Sequence, residues 1–435
     1  MTQRDATRLL AGAIGVLACQ LVLSVALIPP WQHPDEHAHV AVVQVWRERL
    51  AGGSSTDPGR QGEILKSMAA EDWWRHYGVP APTPLPTTFQ DGGGAANTLG
   101  TDPTSTGYPR PYYVFVASAL SLGPRGSVVH DLYAMRALSA ALALLTLYVA
   151  WRGTREWVGE TGGATVAALL ALHPQFALVS TTAGPDAVVN LFGAAIWWQA
   201  SRAMGERRLW PLAAIWGAAL AAAVVDRMGA PLLVSAFMIS LVAVMRRRIG
   251  GGRLLGMLVV LAVLLAGTSL WLRGVEQTLP QSITALPLSD ALDWNYFLRF
   301  SSSLFASWWA SFGWARYWPP WWWTAVAACL ALGAAVGGIR LVSQRSPHVP
   351  LVAMALMMVG IQIAAVYWTY FRLGQGAQGR YLFPSLVPSL VLLWMGTGAL
   401  TDTEKRRYVA LVLIITLAFL EIVAWHRVAI PAYLT

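Results

Sequence analysis

The sequence predicts an all-α, polytopic membrane protein, and three observations carry that reading. Of the 435 residues, 56% are hydrophobic and only 12% charged, about half the charged share of an ordinary soluble domain. The apolar residues gather into about eleven runs long enough to cross a hydrocarbon core. The connectors between these runs alternate in charge, as the loops of a multi-pass chain do. A mean hydropathy of +0.49 agrees with all three.

Taken in order, the first element is the run 9–28, preceded by Arg4 and Arg8. It ends in Pro29-Pro30 without a small-x-small cleavage site, so it reads as a retained first helix (1–28) and not as a signal peptide. Residues 29–130 form the one large expected extramembrane region. Its Gly/Pro/Ser/Thr-rich stretches, Gly52–Ser55, Pro80–Thr88 and Gly92–Gly94, read as mobile connectors between helical segments at 35–50 and 61–77. The second segment carries Trp73-Trp74 beside charge, as an interfacial helix does. The helical core, 131–425, then holds apolar runs at 131–151, 162–180, 187–204, 209–225, 229–245, 254–272, 320–339, 349–370, 382–400 and 408–425, and a short tail, 426–435, closes the sequence.

Charge sets the expected orientation. Arg4/Arg8, Arg152/Arg155, Arg207/Arg208, Arg246–Arg248 with Arg253, Arg340/Arg345 and Lys405–Arg407 all fall in one set of connectors. That set is cytoplasmic by the positive-inside rule, which puts the N-terminus inside and the C-terminus outside. Pro111–Gly123 is apolar but too short to cross upright, and counting it as a span would move Arg246–Arg248 to the outside. It therefore reads as an interfacial or re-entrant helix of the first outer loop.

The excess of 31 Lys+Arg over 22 Asp+Glu does not point to nucleic acid, because the basic residues flank apolar runs instead of forming a basic domain. Cys19 and Cys329 both lie inside apolar runs, so neither a disulfide framework nor a cysteine metal site follows from them. No repeat of solenoid period is present.

Charged groups near lipid are costly, so those expected at the outer rim need a reason. His33, Asp35, Glu36, His37 and His39 crowd into seven residues directly after the first run. A helix beginning after Pro34 places Asp35 and His39 on one face and turns Glu36 roughly 100° away. The plainer reading makes Asp35 a helix-capping acid beside solvent-facing histidines. Other groups expected at this rim are Asp186, the Asp226-Arg227 hairpin, and the stretch from Phe371 to Tyr381 with Arg372, Arg380 and three glycines. Arginines and glycine backbone suit a phosphate, and they equally suit a membrane anchor or a structural salt bridge. His173-Pro174-Gln175 reads either as part of the site or as a kink with a core histidine. The aromatic stretch 294–323, with Trp308-Trp309 and Trp314, fits an interfacial belt, and some of its rings also suit a prenyl or sugar groove.

These residues carry a resemblance. A first span followed by Pro-Asp-Glu-x-x-His, a long outer loop and an outward acid before the fourth span resemble the GT-C glycosyltransferases. Within that superfamily, Pro34–His39, His173–Gln175 with Pro185–Ala187, Ser311–Trp314 and Gln378–Pro384 resemble a bacterial membrane-protein family of unassigned function. The likeness runs from the first span to about residue 400. It implies a GT-C-like fold and an enzyme moving a sugar from a polyprenyl-phosphate-linked donor to a glycan, lipid or protein acceptor of the cell envelope. By the same resemblance Asp35 is the expected base, with Glu36 and His39 beside it. Arg380, Arg372 and Arg227, with Tyr381, are expected to hold the donor phosphate, while Asp186, His173 and Trp314 complete the site. No cofactor is certain. A divalent metal on Asp35, His37 and His39 stays open, since their alternation matches no recognised zinc spacing. GT-C members with large soluble C-terminal domains bind acceptor there; this sequence ends after its last apolar run, so the first outer loop or the membrane itself is expected to bind it. The Ala/Arg/Trp-rich, lysine-poor composition suggests a GC-rich bacterial genome, and with the charge pattern and the resemblance the expectation is a bacterial plasma membrane with the site extracytoplasmic. A lipid or sugar transporter, or a non-catalytic envelope scaffold, is the alternative. Transporters place ionisable groups at mid-membrane, whereas here they gather at one rim.

Overall fold

The structure, a computed structural model, describes residues 2–53, 58–89, 110–124, 126–205, 208–247, 293–313, 315–371 and 377–434. Among these residues the architecture is helical, with one isolated bridge between Phe312 and Tyr317.

The first helix, α1 (Gln3–Leu27), starts in a capping box. Thr2 Oγ1 accepts from the Asp5 amide at 3.3 Å, and Asp5 Oδ2 accepts from the Thr2 amide at 2.9 Å. The outer-loop helices follow: α2 (Glu36–Leu50), α3 (Pro58–Ala70), α4 (Trp73–Tyr77) and α5 (Arg110–Ser121). The segment expected at 61–77 is thus two helices, broken at Asp72, whose φ of 50° cannot continue a helix. The expected segment Pro111–Gly123 forms the twelve-residue α5, too short to cross.

These four helices do not lie loosely on a surface. Val40, Val43, Leu65, Met68, Trp73, Trp74, Tyr113 and Val116 share a core with Trp31 and with Val128 and Leu132 of the next helix. A buried ion pair fastens this cap. Arg47 Nη1 meets Asp131 Oδ2 at 2.9 Å, Gln44 donates to the same oxygen at 2.8 Å, and Arg47 Nη2 donates to the Leu120 carbonyl.

The next helix, α6 (Val128–Ala171), runs for 44 residues and bends at Gly159, whose φ of 78° only glycine adopts cheaply. The run expected at 131–151 and most of that at 162–180 fall on its two arms. Pro174 then ends the second arm by opening the short α7 (Pro174–Val179), with His173 as its N-cap. The chain continues through α8 (Asp186–Gly205), α9 (Trp210–Val225), α10 (Pro231–Arg247), α11 (Trp294–Trp309), α12 (Trp321–Ser343) and α13 (Val349–Val366). A 3₁₀ turn, Gly379–Ser385, leads into α14 (Leu386–Ala399), and α15 (Arg406–Ala424) runs on through a π turn to Leu434. The expected tail 426–435 is therefore helical through Leu434, and it packs back onto the cap.

Seven of the described helical stretches are long and apolar enough to cross a membrane, and α9 is a shorter apolar helix. The expected run 254–272 lies outside the described residues, as do Arg207, Arg253 and the side chains of Arg246–Arg248. Within the bundle, α6 packs on α1 and α8, and α12 on α14. The last two approach closely, because Gly337 lies against the Gly396 backbone.

Candidate functional site

The site grows from the turn between α1 and α2. Ile28, Trp31, Gln32 and His33 are all buried, and Trp31 takes a φ of 70° while its indole donates to Ser67 Oγ at 2.9 Å. Asp35 follows at a φ of 63°, uncommon for a residue with a side chain, though aspartate tolerates it better than most. Its carbonyl accepts the His39 amide at 3.0 Å, so it stands at the N-cap of α2. Its carboxylate, however, makes no cap bond. It turns to Arg380, 345 positions away in sequence. The plainer reading of Asp35 as a capping acid therefore does not describe this side chain.

Glu36, the next residue, points elsewhere. Its carboxylate takes a two-pronged ion pair from Arg136, Nε to Oε1 at 2.8 Å and Nη2 to Oε2 at 2.7 Å, and both side chains are fully buried. Arg136 also donates to the Ile28 and Pro29 carbonyls at 2.7 and 2.9 Å, and the Ala183 amide donates to Glu36 Oε1 at 3.2 Å. This network ties the end of α1, the start of α2, α6 and the chain before α8 into one knot. Glu36 thus holds Asp35 in place and does not face the site.

Arg380 is the centre. It offers five N–H donors. Nε goes to Gln378 Oε1 at 2.8 Å, Nη1 to Asp186 Oδ2 at 3.2 Å, and Nη2 to both Asp35 Oδ2 and Tyr381 Oη. One Nη1 proton remains. The Arg380 side chain is 6% exposed and Asp186 17%, but Asp35 is 40% exposed, so of the three Asp35 is the one open to a reactant. The turn carrying Arg380 is pinned on three sides. Gly379 N donates to Ser307 Oγ at 2.8 Å, Gln362 Nε2 donates to the Tyr381 carbonyl at 2.7 Å, and the Pro384 carbonyl presses on Gly193 of α8.

Electrostatics follow from this packing. Burial works to raise Asp35, but Arg380 and the nearby His39 and His37 outweigh it and hold the carboxyl below its ordinary range. Asp186 is raised, by burial first, despite Arg380. On the hairpin after α9, burial and then Asp186 push Asp226 up to about 6, although it accepts the Met228 amide at 2.7 Å and Arg227 lies close enough to oppose the shift. His39 bonds Tyr113 Oη through Nδ1 at 2.7 Å, and burial lowers it to about 4. His33 is also kept neutral, by burial and then by Arg136.

The fold thus brings Asp35, Asp186, Arg380 and Tyr381 together, with His39, Asp226 and Arg227 around them. Others of the expected set do not turn toward Arg380, and among them is His37, although it lies near enough to Asp35 to help lower its carboxyl. His37 packs edge-on to Trp73 and Phe89, at 5.1 and 6.2 Å between ring centres. His173 stacks on Trp309 at 5.5 Å and meets Trp308 and Phe383, with neither ring nitrogen hydrogen-bonded among the described residues. Trp314 and Arg372 lie outside the described residues. Nor do Asp35, His37 and His39 converge as a metal set, since among the described residues no three His, Cys, Asp or Glu side chains form a cation-holding group.

Beside Arg380 opens a small cleft. Gln32, Gln175, Gln378, Ser311 and Tyr433 are among its walls, and none of them belongs to the expected set. Arg136 was not expected either. A lone arginine near one end of the apolar run 131–151 was the available signal for it. Gln175 and Gln378 stand within motifs singled out in sequence, but Gln32 carries no comparable signal, because an uncharged amide near a span end is unremarkable.

The fold and this buried cluster define a helical membrane protein with several apolar helices and a polar site assembled from its first loop, its middle and its last third. The chain belongs to the family described as Predicted membrane protein (DUF2142), whose model matches residues 19–390, from before Asp35 to beyond Arg380. No curated protein and no solved structure matches it.

Proposed function

We propose that the chain is a glycosyltransferase of GT-C type, moving a sugar from a polyprenyl-phosphate carrier to a hydroxyl of a cell-envelope glycan, lipid or protein. In this reading it lies in a bacterial plasma membrane with about eleven spans, its N-terminus cytoplasmic and Asp35 on the outer side. One observation carries the proposal. Asp35 is held in a left-handed conformation, makes no cap bond, and presents a partly open carboxylate against an almost fully buried arginine. Backbone strain of this kind concentrates where function requires it.

The chemistry is a single displacement. The acceptor oxygen bonds the anomeric carbon as its proton passes to Asp35, and the bond from that carbon to the carrier phosphate breaks, the phosphate leaving with the electron pair. Arg380 links the two ends. While Asp35 is ionised it occupies one face of the guanidinium. Once Asp35 takes the proton that hold weakens, and the guanidinium and its remaining N–H meet the growing charge on phosphate. Arg227, on the adjacent hairpin, adds positive charge near the same place. Asp186 orients Arg380 from the other side. Glu36 and Arg136 act as positioning residues, and no step is routed through a metal.

The test is sugar transfer from prenyl-phosphate donors by the purified chain in lipid nanodiscs. Asp35→Asn keeps the shape of the side chain and should remove transfer by at least about 10²-fold, with expression and unfolding temperature unchanged. Full activity in that variant sinks the mechanism.

A further inference from the structure

The cleft beside Arg380 has an unusual wall. Three glutamines enter it from distant parts of the chain: Gln32 from the turn before α2, Gln175 from α7 and Gln378 from the late turn. Gln32 is 1% exposed, and its amide nitrogen donates to the Glu71 carbonyl at 3.1 Å. Its carbonyl oxygen is buried with no hydrogen-bond partner, which is costly in a folded interior unless a ligand supplies the donor. Gln175 commits its oxygen to the Ser311 amide at 2.7 Å and Gln378 commits its oxygen to Arg380, and among the described residues neither amide nitrogen has a hydrogen-bond partner. An unpartnered buried acceptor and two amide nitrogens without a bond among the described residues thus belong to three side chains that line one space. Pro34, Leu178 and the Tyr433 ring give it apolar patches, and among the described residues Arg380 is the only charged one of the wall.

We infer that this cleft is a subsite for an uncharged polyhydroxylated ring, a neutral sugar, and that it discriminates against amino sugars and uronic acids. Each hydroxyl both donates and accepts, which matches carboxamides of mixed polarity, while the C–H faces of the ring suit proline, leucine and tyrosine. An ammonium group would be desolvated among amides beside a guanidinium that already pairs with both nearby carboxylates, Asp35 and Asp186. A uronate carboxylate would approach Asp35 and Asp186, which already hold Arg380. The inference rests on the transferase reading only for which substrate brings the ring; the recognition chemistry stands without it.

Binding, not turnover, tests it. The full-length chain in nanodiscs is titrated with methyl glucoside, methyl glucosaminide and methyl glucuronide, followed by saturation-transfer NMR. The uncharged ring should bind at least about tenfold more tightly than either charged one. Equal binding of the three, or none, overturns the inference, and this arm depends on no variant folding. Gln32→Leu should weaken the uncharged ring by about tenfold, and Gln32→Glu should turn the preference toward the glucosaminide; a merely structural Gln32 would not reverse a preference. An unchanged order of preference in Gln32→Glu counts against the site. A prenyl-phosphate-linked hexose that displaces the methyl glucoside assigns the ring to the donor, and one that binds alongside it assigns the ring to the acceptor; both outcomes support the subsite. Selective binding by an unaltered chain that transfers no sugar from any prenyl-phosphate donor keeps the subsite and removes the transferase reading. Asp35-dependent transfer without selective binding does the reverse.

Discussion

Arg380 meets three oxygen partners besides its tyrosine neighbour, and the geometry makes its replacement informative. With Arg380→Ala, Asp35 and Asp186 lose the positive charge between them, so the Asp35 carboxyl rises from its depressed value. Donor affinity should fall, little relieved by added acceptor, and the acidic limb of any remaining transfer activity should move to higher pH. An unmoved limb in the pH–rate profile excludes Asp35 as the titrating base. His39 gives a second test. It is lowered in the fold, to about 4, and titrates near 6.5 when unfolded. Its contribution to stability is therefore complete above about pH 6.5 and is lost as the pH falls toward about 4. Asp226, raised to about 6, acts in the opposite sense over much of that window: its cost grows as the pH climbs from about 4 and is full above about 6. Thermal unfolding of His39→Gln should thus lose the acid-side decline attributable to His39, whereas Asp226→Asn should gain stability at pH 7 but not at pH 4. Parallel pH profiles for His39→Gln and the unaltered protein contradict the assignment.

The placement of Arg380 depends on two backbone approaches that leave no room for a side chain. A Cβ on Gly193 of α8 would lie 2.0 Å from the Pro384 carbonyl oxygen, and one on Gly379 would lie 2.0 Å from the Trp308 amide nitrogen of α11. Neither clash is relieved by rotating a side chain, so the turn itself must move. Gly193→Ala and Gly379→Ala should each lower stability by about 1–3 kcal/mol and reduce transfer well beyond that loss, because Arg380 leaves the reach of Asp35 and Asp186. Unfolding midpoints and activity measured on the same preparations check this. If activity falls only in proportion to folded protein, the turn does not set the geometry. The start of α2 follows the same logic. The helical turn after Pro34 was legible from Pro34-Asp35, and so was the divergence of Asp35 and Glu36. The partners of those two carboxylates, Arg380 and Arg136, were not.

For the whole molecule, orientation is the open physical question that charge alone answers in advance. Ala51, at the exposed end of α2, and Gln344, in the exposed turn after α12, fall on opposite sides by the positive-inside expectation. In a background with the exposed Cys19 and Cys329 replaced by alanine, Ala51→Cys should react with a membrane-impermeant maleimide on intact cells. Gln344→Cys should react only after permeabilisation. The opposite pattern would put the site on the cytoplasmic side and remove an extracytoplasmic transferase.

Membrane class, helical content and the crowding of ionisable residues after the first apolar run were legible along the chain, because each depends on local composition or on residues within a few positions of one another. The short α5 was legible for the same reason. The way the polar residues pair was not, since it depends on contacts between segments hundreds of positions apart. Glu36 reads in sequence as the second carboxylate of the site, beside the expected base Asp35, and packing buries it on Arg136 while Asp35 stays partly open. His37 and His173 read as site residues, and aromatic neighbours enclose them instead. The outer loop reads as helical segments joined by connectors, and only the structure shows that α2 to α5 share a core. Gln32 carries no signal in sequence, and Gln175 and Gln378 stand there only within motifs; tertiary structure alone sets the three around one cleft. Periodicity and charge decide where a helix lies; only the closing of the bundle decides which polar atoms lose water and which neighbours they find in exchange.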